Sequence, residues 1–251
     1  MLEHLRHDDI LELRLARPPV NAFNLELSRA LSEAIIAAPD SGARGIVLCG
    51  RPGMFSAGLD VAAVLELDAA GRMAELWREY STLCRAIAAS SLPIVVAIAG
   101  HAPAGGAVLA TFCDYRVMAR GAFRIGLNET QVGLSVPPEI QTGLRRLVGA
   151  YRAERLMVAG AMVDPDEALR IGFVDELAEP DEVASRAFAW LRALLALPPQ
   201  AMTKTRAIAR ADLVAAFDAA YRSDVDAFVR DWFGEESRTT LKAVLAKLKS
   251  K

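Results

Sequence analysis

Two apolar runs, each ending at a glycine corner, constrain this chain more than any other feature. Pro93-Ile94-Val95-Val96-Ala97-Ile98-Ala99 is rich in β-branched residues and stops at Gly100, a pattern that predicts a buried strand running into a turn. Ala104-Gly105-Gly106 then leads into a small-residue helical pattern from Ala107 to Phe112. Upstream, Gly45-Ile46-Val47-Leu48-Cys49-Gly50 repeats the buried-strand pattern, and Phe55-Ser56-Ala57-Gly58-Leu59-Asp60 again opens toward a helix. Glycine lets backbone approach a ligand closely, and the free amides of a helix N-terminus hold negative charge. Close packing alone would explain one such corner. Two of them could aim two backbone amides at one oxygen.

Glu129 stands alone among Leu127, Val132, Leu134 and Val136, the acid with the most apolar surroundings in the chain. A solvated turn is the competing reading of a single acid there. The three cysteines, Cys49, Cys84 and Cys113, are far apart and lie in apolar or helical runs. They are expected to be reduced core residues rather than disulfides or zinc ligands. His4, His7 and His101 form no metal motif, and His101 reads as a turn or packing residue.

Elsewhere the pattern alternates strands with helices. Ile10 to Ala16 alternates apolar with polar, as a half-buried strand does, and Leu27, Leu31, Ile35 and Ala38 repeat at helical spacing. Residues 61–89 read as one or two helices with Gly71 a joint between them, forming either a pocket wall or plain packing. Further helices are expected from about Pro137 to Val148 and over Tyr151 to Val158. Asp164 is expected to cap a helix that stops at Gly172. A short strand over Phe173 to Leu177 follows, and a helix to about Leu197. The rest is helical: Pro198 to Arg210, Leu213 to Phe233 and Ser237 to Lys249, with Ala216, Ala220, Val225, Phe228 and Trp232 giving one apolar side.

A net charge of −2 offers no general attraction to nucleic acid or to an anionic membrane. Hydrophobic residues make up 53% of the 251, but charges interrupt every long apolar stretch. No membrane span is therefore expected. The first residues lack the features of a secretory signal. The cytoplasm is the expected compartment, although a processed organellar chain would look the same.

The FSAGLD corner, the PAGG turn with CDYR after it, and the acid in GLNETQVGL resemble the crotonase superfamily, also called the enoyl-CoA hydratase/isomerase family. The similarity runs from Ala16-Arg17-Pro18-Pro19-Val20-Asn21-Ala22 through Glu167 to Asp175, and the IGLNETQ run is most similar to the mitochondrial-type Δ3-Δ2-enoyl-CoA isomerases. The resemblance implies an α/β fold, a crotonase-like (ββα)-repeat spiral core over residues 1–197, with a helical C-terminal trimerisation subdomain over 198–251. It implies an acyl-CoA thioester substrate, coenzyme A being part of that substrate rather than a cofactor, no metal, and a homotrimer or dimer of trimers.

The resemblance also assigns roles. Glu129 matches the catalytic glutamate, and the amides of Leu59 and Gly105 match the oxyanion donors. Substrate contacts are implied at Ala22, Phe23, Ser56, Ala57, Leu59, Asp60, Val61, Gly105, Gly106 and Gly133. For Asp60, a role in fixing the backbone is an equal alternative. Hydratases of the family carry a second glutamate after the glycine turn, where this chain has Val108. Valine cannot transfer a proton, so isomerisation of 3-enoyl-CoA to 2-enoyl-CoA by one carboxylate is expected ahead of hydration. Glu139, the nearest substitute, reads as a first-turn helix acid. A non-catalytic acyl-CoA-binding protein on the same fold is the rival from another class.

Overall fold

At each glycine corner the chain leaves one sheet for another. The computed structural model describes residues 1–61, 63, 70–220 and 225–249. β1 (Leu2–His7) and β2 (Ile10–Leu15) pair antiparallel, and β2 lies parallel to β3 (Gly45–Cys49). With β5 (Ile94–Ile98), β7 (Tyr115–Ala119) and β9 (Glu176–Ala178) they make a six-stranded sheet of order β1-β2-β3-β5-β7-β9. A second, three-stranded parallel sheet holds β4 (Gly53–Met54), β6 (Gly100–Pro103) and β8 (Ile125–Gly126).

Each even-numbered strand of that small sheet directly follows a strand of the large one, and a helix comes next. α2 (Ala70–Ala89) follows β3 and β4, α3 (Gly105–Phe112) follows β5 and β6, and α4 (Pro138–Val148) follows β7 and β8. This is the (ββα) repeat of the spiral core. The crossing is tight: Gly100 pairs with Gly53, and a Cβ at Gly100 would overlap the Gly53 backbone. Only glycine allows β4 and β6 to approach so closely.

The strands read as unbroken apolar runs because both faces of the large sheet are covered. Ile46, Leu48, Val96 and Ile98 face a core shared with α1 (Leu25–Ala37), α2 and α3, while Val47, Cys49, Val95 and Ala97 face α7 (Val183–Leu195) through Phe188 and Leu191. All three cysteines are buried and free. His101 Nδ1 accepts from the Arg124 amide at 3.2 Å, and its ring meets Phe123 edge-on.

The remaining helices are α5 (Ala150–Ala159), α6 (Pro165–Ile171), α8 (Pro199–Ala209), α9 (Ala211–Ala220), α10 (Val225–Phe233) and α11 (Glu235–Lys249). Asp164 caps α6 by accepting from the Glu167 amide at 2.9 Å, and Gly172 ends it in the left-handed region. Leu213, Phe217, Phe228, Trp232 and Leu241 join the main core. A buried ion cluster roots this helical tail. The Asp114 carboxylate accepts from Arg206 Nε at 2.7 Å and Nη2 at 2.8 Å, from Arg210 Nη1 at 3.2 Å and from the Ile94 amide at 2.8 Å.

Several expectations shift. β1 is a strand the pattern does not announce, and β9 begins at Glu176 rather than Phe173 because residues 173–175 bend. Gly71 is helical, the second residue of α2, and most of the segment expected to precede it, residues 62 and 64–69, lies outside the described residues. On α9 the buried residues are Leu213 and Phe217, with Ala216 only half-buried, and the side chain of Ala220 lies outside the described residues. The proposed single helix over Leu213 to Phe233 is helical over 211–220 and 225–233, and residues 221–224 lie outside the described residues. Glu139 does sit in the first turn of α4, but it is buried, 5% exposed. Among the described residues, no helix is long and apolar enough to cross a membrane.

Candidate active site

The loop from Arg17 to Phe23 is laced to the first glycine corner. Asn21 is fully buried at φ +50°, its Oδ1 accepting from the Arg17 amide at 2.9 Å and its Nδ2 donating to Phe55 O at 3.0 Å. Ser56 Oγ donates to Asn21 O at 2.7 Å and accepts from the Gly58 amide at 3.1 Å. Phe23 N donates to Gly58 O at 2.7 Å, and Asp60 N to Phe23 O at 3.0 Å. Arg17 completes the lacing, with Nη2 2.6 Å from Asp60 Oδ2 and Nη1 2.8 Å from Ala22 O. Asp60 also accepts from the Ala63 amide at 3.0 Å, so its carboxylate is committed to the corner's own backbone.

This lacing presses the two corners together. A Cβ on Gly58 would come within 2.7 Å of Gly105 N, and one on Gly105 within 2.8 Å of Tyr80 Oη and 2.9 Å of Gly58 Cα. Gly58 has φ +84°, which glycine adopts without strain. Neither the Leu59 nor the Gly105 amide donates to a described residue. Gly105 opens α3, so its amide is one that a helix leaves unpaired. Beneath it, Tyr80 Oη donates to Gly105 O at 2.6 Å. Burial pushes the Tyr80 phenol well above its usual range, with Cys84 and the Glu129 carboxylate adding to the effect, so it stays protonated.

A cavity of about 510 Å³ lies over these corners, a size ordinary for a small-molecule site. Leu59, Ala57, Ala22, Asp60, Val61 and Gly105 all line it, as does Val108 on α3. Glu129, at the start of a 3-10 turn over Glu129–Val132, lines it as well. Its Oε2 is buried with no hydrogen bond, and burial raises its pKa from 4.5 to about 7. A carboxyl so tuned exchanges protons readily in either direction near neutrality. Glu139, whose pKa burial also raises, does not line the cavity, although its neighbours Pro137 and Ile140 do.

Four of the residues for which substrate contact is expected stand behind the lining. Phe23 and Ser56 are fully buried in the lacing. Gly106 packs where a Cβ would strike Ser56 O, and Gly133 caps the 3-10 turn at φ +76° against Ser237. They shape the residues that face the cavity without facing it themselves.

The family profile described as enoyl-CoA hydratase/isomerase matches residues 6–251. The chain belongs to the enoyl-CoA hydratase/isomerase family. Human mitochondrial enoyl-CoA delta isomerase 1 is 33% identical over 243 residues, 94% of this chain and 79% of that protein. A probable enoyl-CoA hydratase of Mycobacterium tuberculosis is 34% identical over 206 residues, 78% of this chain and 74% of that one. In structure, human mitochondrial Δ3-Δ2-enoyl-CoA isomerase superposes with a TM-score of 0.94 at 31% identity, covering 99% of this chain and 98% of that one. Relatives of both names are thus about a third identical to this chain.

Several residues of this family member's cavity carry no signal in the sequence pattern that they face it. Trp77 and Tyr80 reach it from α2, Phe228 and Trp232 from α10, and Leu241 from α11. Trp77 and Phe228 stack with centroids 3.8 Å apart and planes 18° apart. Helical periodicity marks such residues as buried without saying against what. Asn128, beside Glu129, also lines the cavity, and Arg17 and Asn21 hold the corner from the preceding loop.

Proposed function

We propose that this member of the enoyl-CoA hydratase/isomerase family converts 3-enoyl-CoA to 2-enoyl-CoA with Glu129 as the only proton carrier. The observation that carries the reading is the pairing of one buried, unpartnered carboxyl with an apolar residue, Val108, where a second acid would be needed for efficient hydration. Glu129 takes a proton from the α-carbon of the thioester. The electron pair spreads into a dienolate, and its charge rests on the carbonyl oxygen. The amides of Leu59 and Gly105 donate to that oxygen, with the opening turn of α3 adding its dipole. Glu129 then returns the proton to the γ-carbon, and no water is consumed.

Enoyl-CoA hydration is the second reading, favoured by the relative named a probable hydratase. A panel of 3-enoyl, 2-enoyl and dienoyl CoA esters, assayed in parallel, separates the two. Isomerisation should greatly exceed hydration in the parent, and Val108→Glu should raise hydration. Faster hydration than isomerisation by the unmodified protein would sink the single-acid reading. A homotrimer, or a dimer of trimers, is part of the proposal and is checked by native mass.

A further inference from the structure

Among the described residues that line the cavity, one other side-chain oxygen besides that of Glu129 is buried with nothing to bond. Asn128 Oδ1 is buried without a partner, as is Glu129 Oε2 on the adjacent residue, and both residues line the same cavity. The neighbouring polar groups are committed: Asp60 to Arg17 and the Ala63 amide, Tyr80 Oη to Gly105 O. Local structure does not explain Asn128 either. Its side chain makes no capping bond to the 3-10 turn that follows; only its main-chain oxygen does, accepting from the Gln131 amide. Leaving such a group buried and unpaired is unfavourable, and native proteins keep one where water or a ligand meets it.

The two buried atoms narrow what that ligand is. Both are acceptors, so an anion is repelled, and the hydrocarbon of an acyl chain offers no donor. Water carries two O–H groups, and a cavity of about 510 Å³ has room for it beside a chain.

We propose that Asn128 and Glu129 together hold one water at C3 of a bound 2-enoyl thioester, giving the protein a slow hydratase activity in which Asn128 replaces the acid absent at position 108. The proposal rests on Glu129 being the proton carrier of the isomerisation. The water oxygen bonds to C3 while one of its protons passes to the Glu129 carboxylate. The C2–C3 π pair moves into an enolate, whose oxygen charge meets the Leu59 and Gly105 amides. Glu129 then gives its proton to C2, so one water has been added and the carboxylate is regenerated. Asn128 accepts from the second O–H and exchanges no proton. An amide orients the water but cannot help ionise it, which keeps hydration slower than isomerisation.

The test is a pair of rates on purified protein: hydration of trans-2-hexenoyl-CoA, followed by incorporation of isotopically labelled water at C3, and isomerisation of trans-3-hexenoyl-CoA. Glu129→Gln sets the background. Hydration by the parent should exceed that background, and Asn128→Leu should lower the hydration-to-isomerisation ratio about tenfold or more, the worth of one hydrogen bond to a reacting group. Asn128→Asp, similar in shape and still an acceptor, should restore the ratio. Parent hydration no greater than background overturns the proposal, as does a smaller change in Asn128→Leu or an Asp variant as poor as the Leu variant. Absence of isomerisation with Asn128-dependent hydration would remove the isomerase reading and leave the water site standing. The reverse pattern would remove the water site alone.

Discussion

Where the small sheet meets the helices that follow it, the cavity wall is main chain, whereas α2 and α10 meet it with aromatic rings and α11 with Leu241. The glycine side is fixed by hydrogen bonds at 2.6–3.1 Å among Arg17, Asn21, Ser56, Asp60 and the backbone they hold. Nothing larger than hydrogen fits at Gly105 without moving Tyr80 or Gly58. The aromatic side is held by ring packing, such as the Trp77–Phe228 stack and the tilted contact of Phe228 with Trp232 at 6.1 Å. Aromatic pairs contribute about 0.5–1.5 kcal/mol beyond burial and tolerate changes of shape. Chemistry needing oriented donors belongs on the rigid side, and variation in the occupant belongs on the other.

The comparison can be broken in four places. The largest effect is expected at Glu129, which stands between the two sides. Glu129→Gln should keep the fold and thioester binding while turnover falls on the order of 10²–10⁴-fold; a rate within a few-fold of the parent would mean that another group takes the proton. Gly105→Val comes next. Its branched side chain would displace an oxyanion donor, and turnover should drop about 10²–10³-fold, with undiminished turnover removing Gly105 from that role.

On the aromatic side the balance reverses. Trp232→Ala should cost about 3–5 kcal/mol of stability in a denaturant melt, while kcat measured on the folded protein changes less than in Gly105→Val. A larger loss of kcat than of stability would show that the rings also orient the reacting carbons. The smallest effect is on pH. The Glu129 pKa of about 7 requires turnover to rise with pH to about 7 and then level off. Stability runs the other way. The folded protein holds this proton more tightly than the unfolded chain, so stability falls between about pH 4.5 and 7, by about 3 kcal/mol in all. Glu129→Gln should flatten both profiles.

The glycine side was legible residue by residue, the aromatic side only as an apolar helix face and a segment read as pocket wall or packing, for a physical reason. A main-chain wall demands particular residues at particular places, so Gly58, Gly105 and the apolar strands ahead of them announce it. Trp77, Phe228 and Trp232 obey only the weaker demand of facing inward, which their spacing satisfies in any helical packing. Of the polar lacing only Asp60 reads as able to fix the backbone, because nothing in the order Arg17 to Asp60 says that a guanidinium will cross 43 residues to that carboxylate. β1 escaped notice since an edge strand with one neighbour, here LEHLRH, needs no apolar alternation. Glu139 reads correctly as a first-turn helix acid, but its burial depends on what packs over α4 and was not readable.

The Asp114 cluster gives the molecule a chronology. Asp114 and the strands around it leave the ribosome 92 residues before Arg206, the first of its two cationic partners. Until then its carboxylate lacks both cations, and Phe112 lacks Phe217, which it meets at 4.9 Å in the finished protein. Arg206 and Arg210 silence the charge as α9 brings the ring, so one docking event hides both. Without α8 and α9 the acid has neither cation and the ring loses one neighbour, although every strand of both sheets precedes them in the chain.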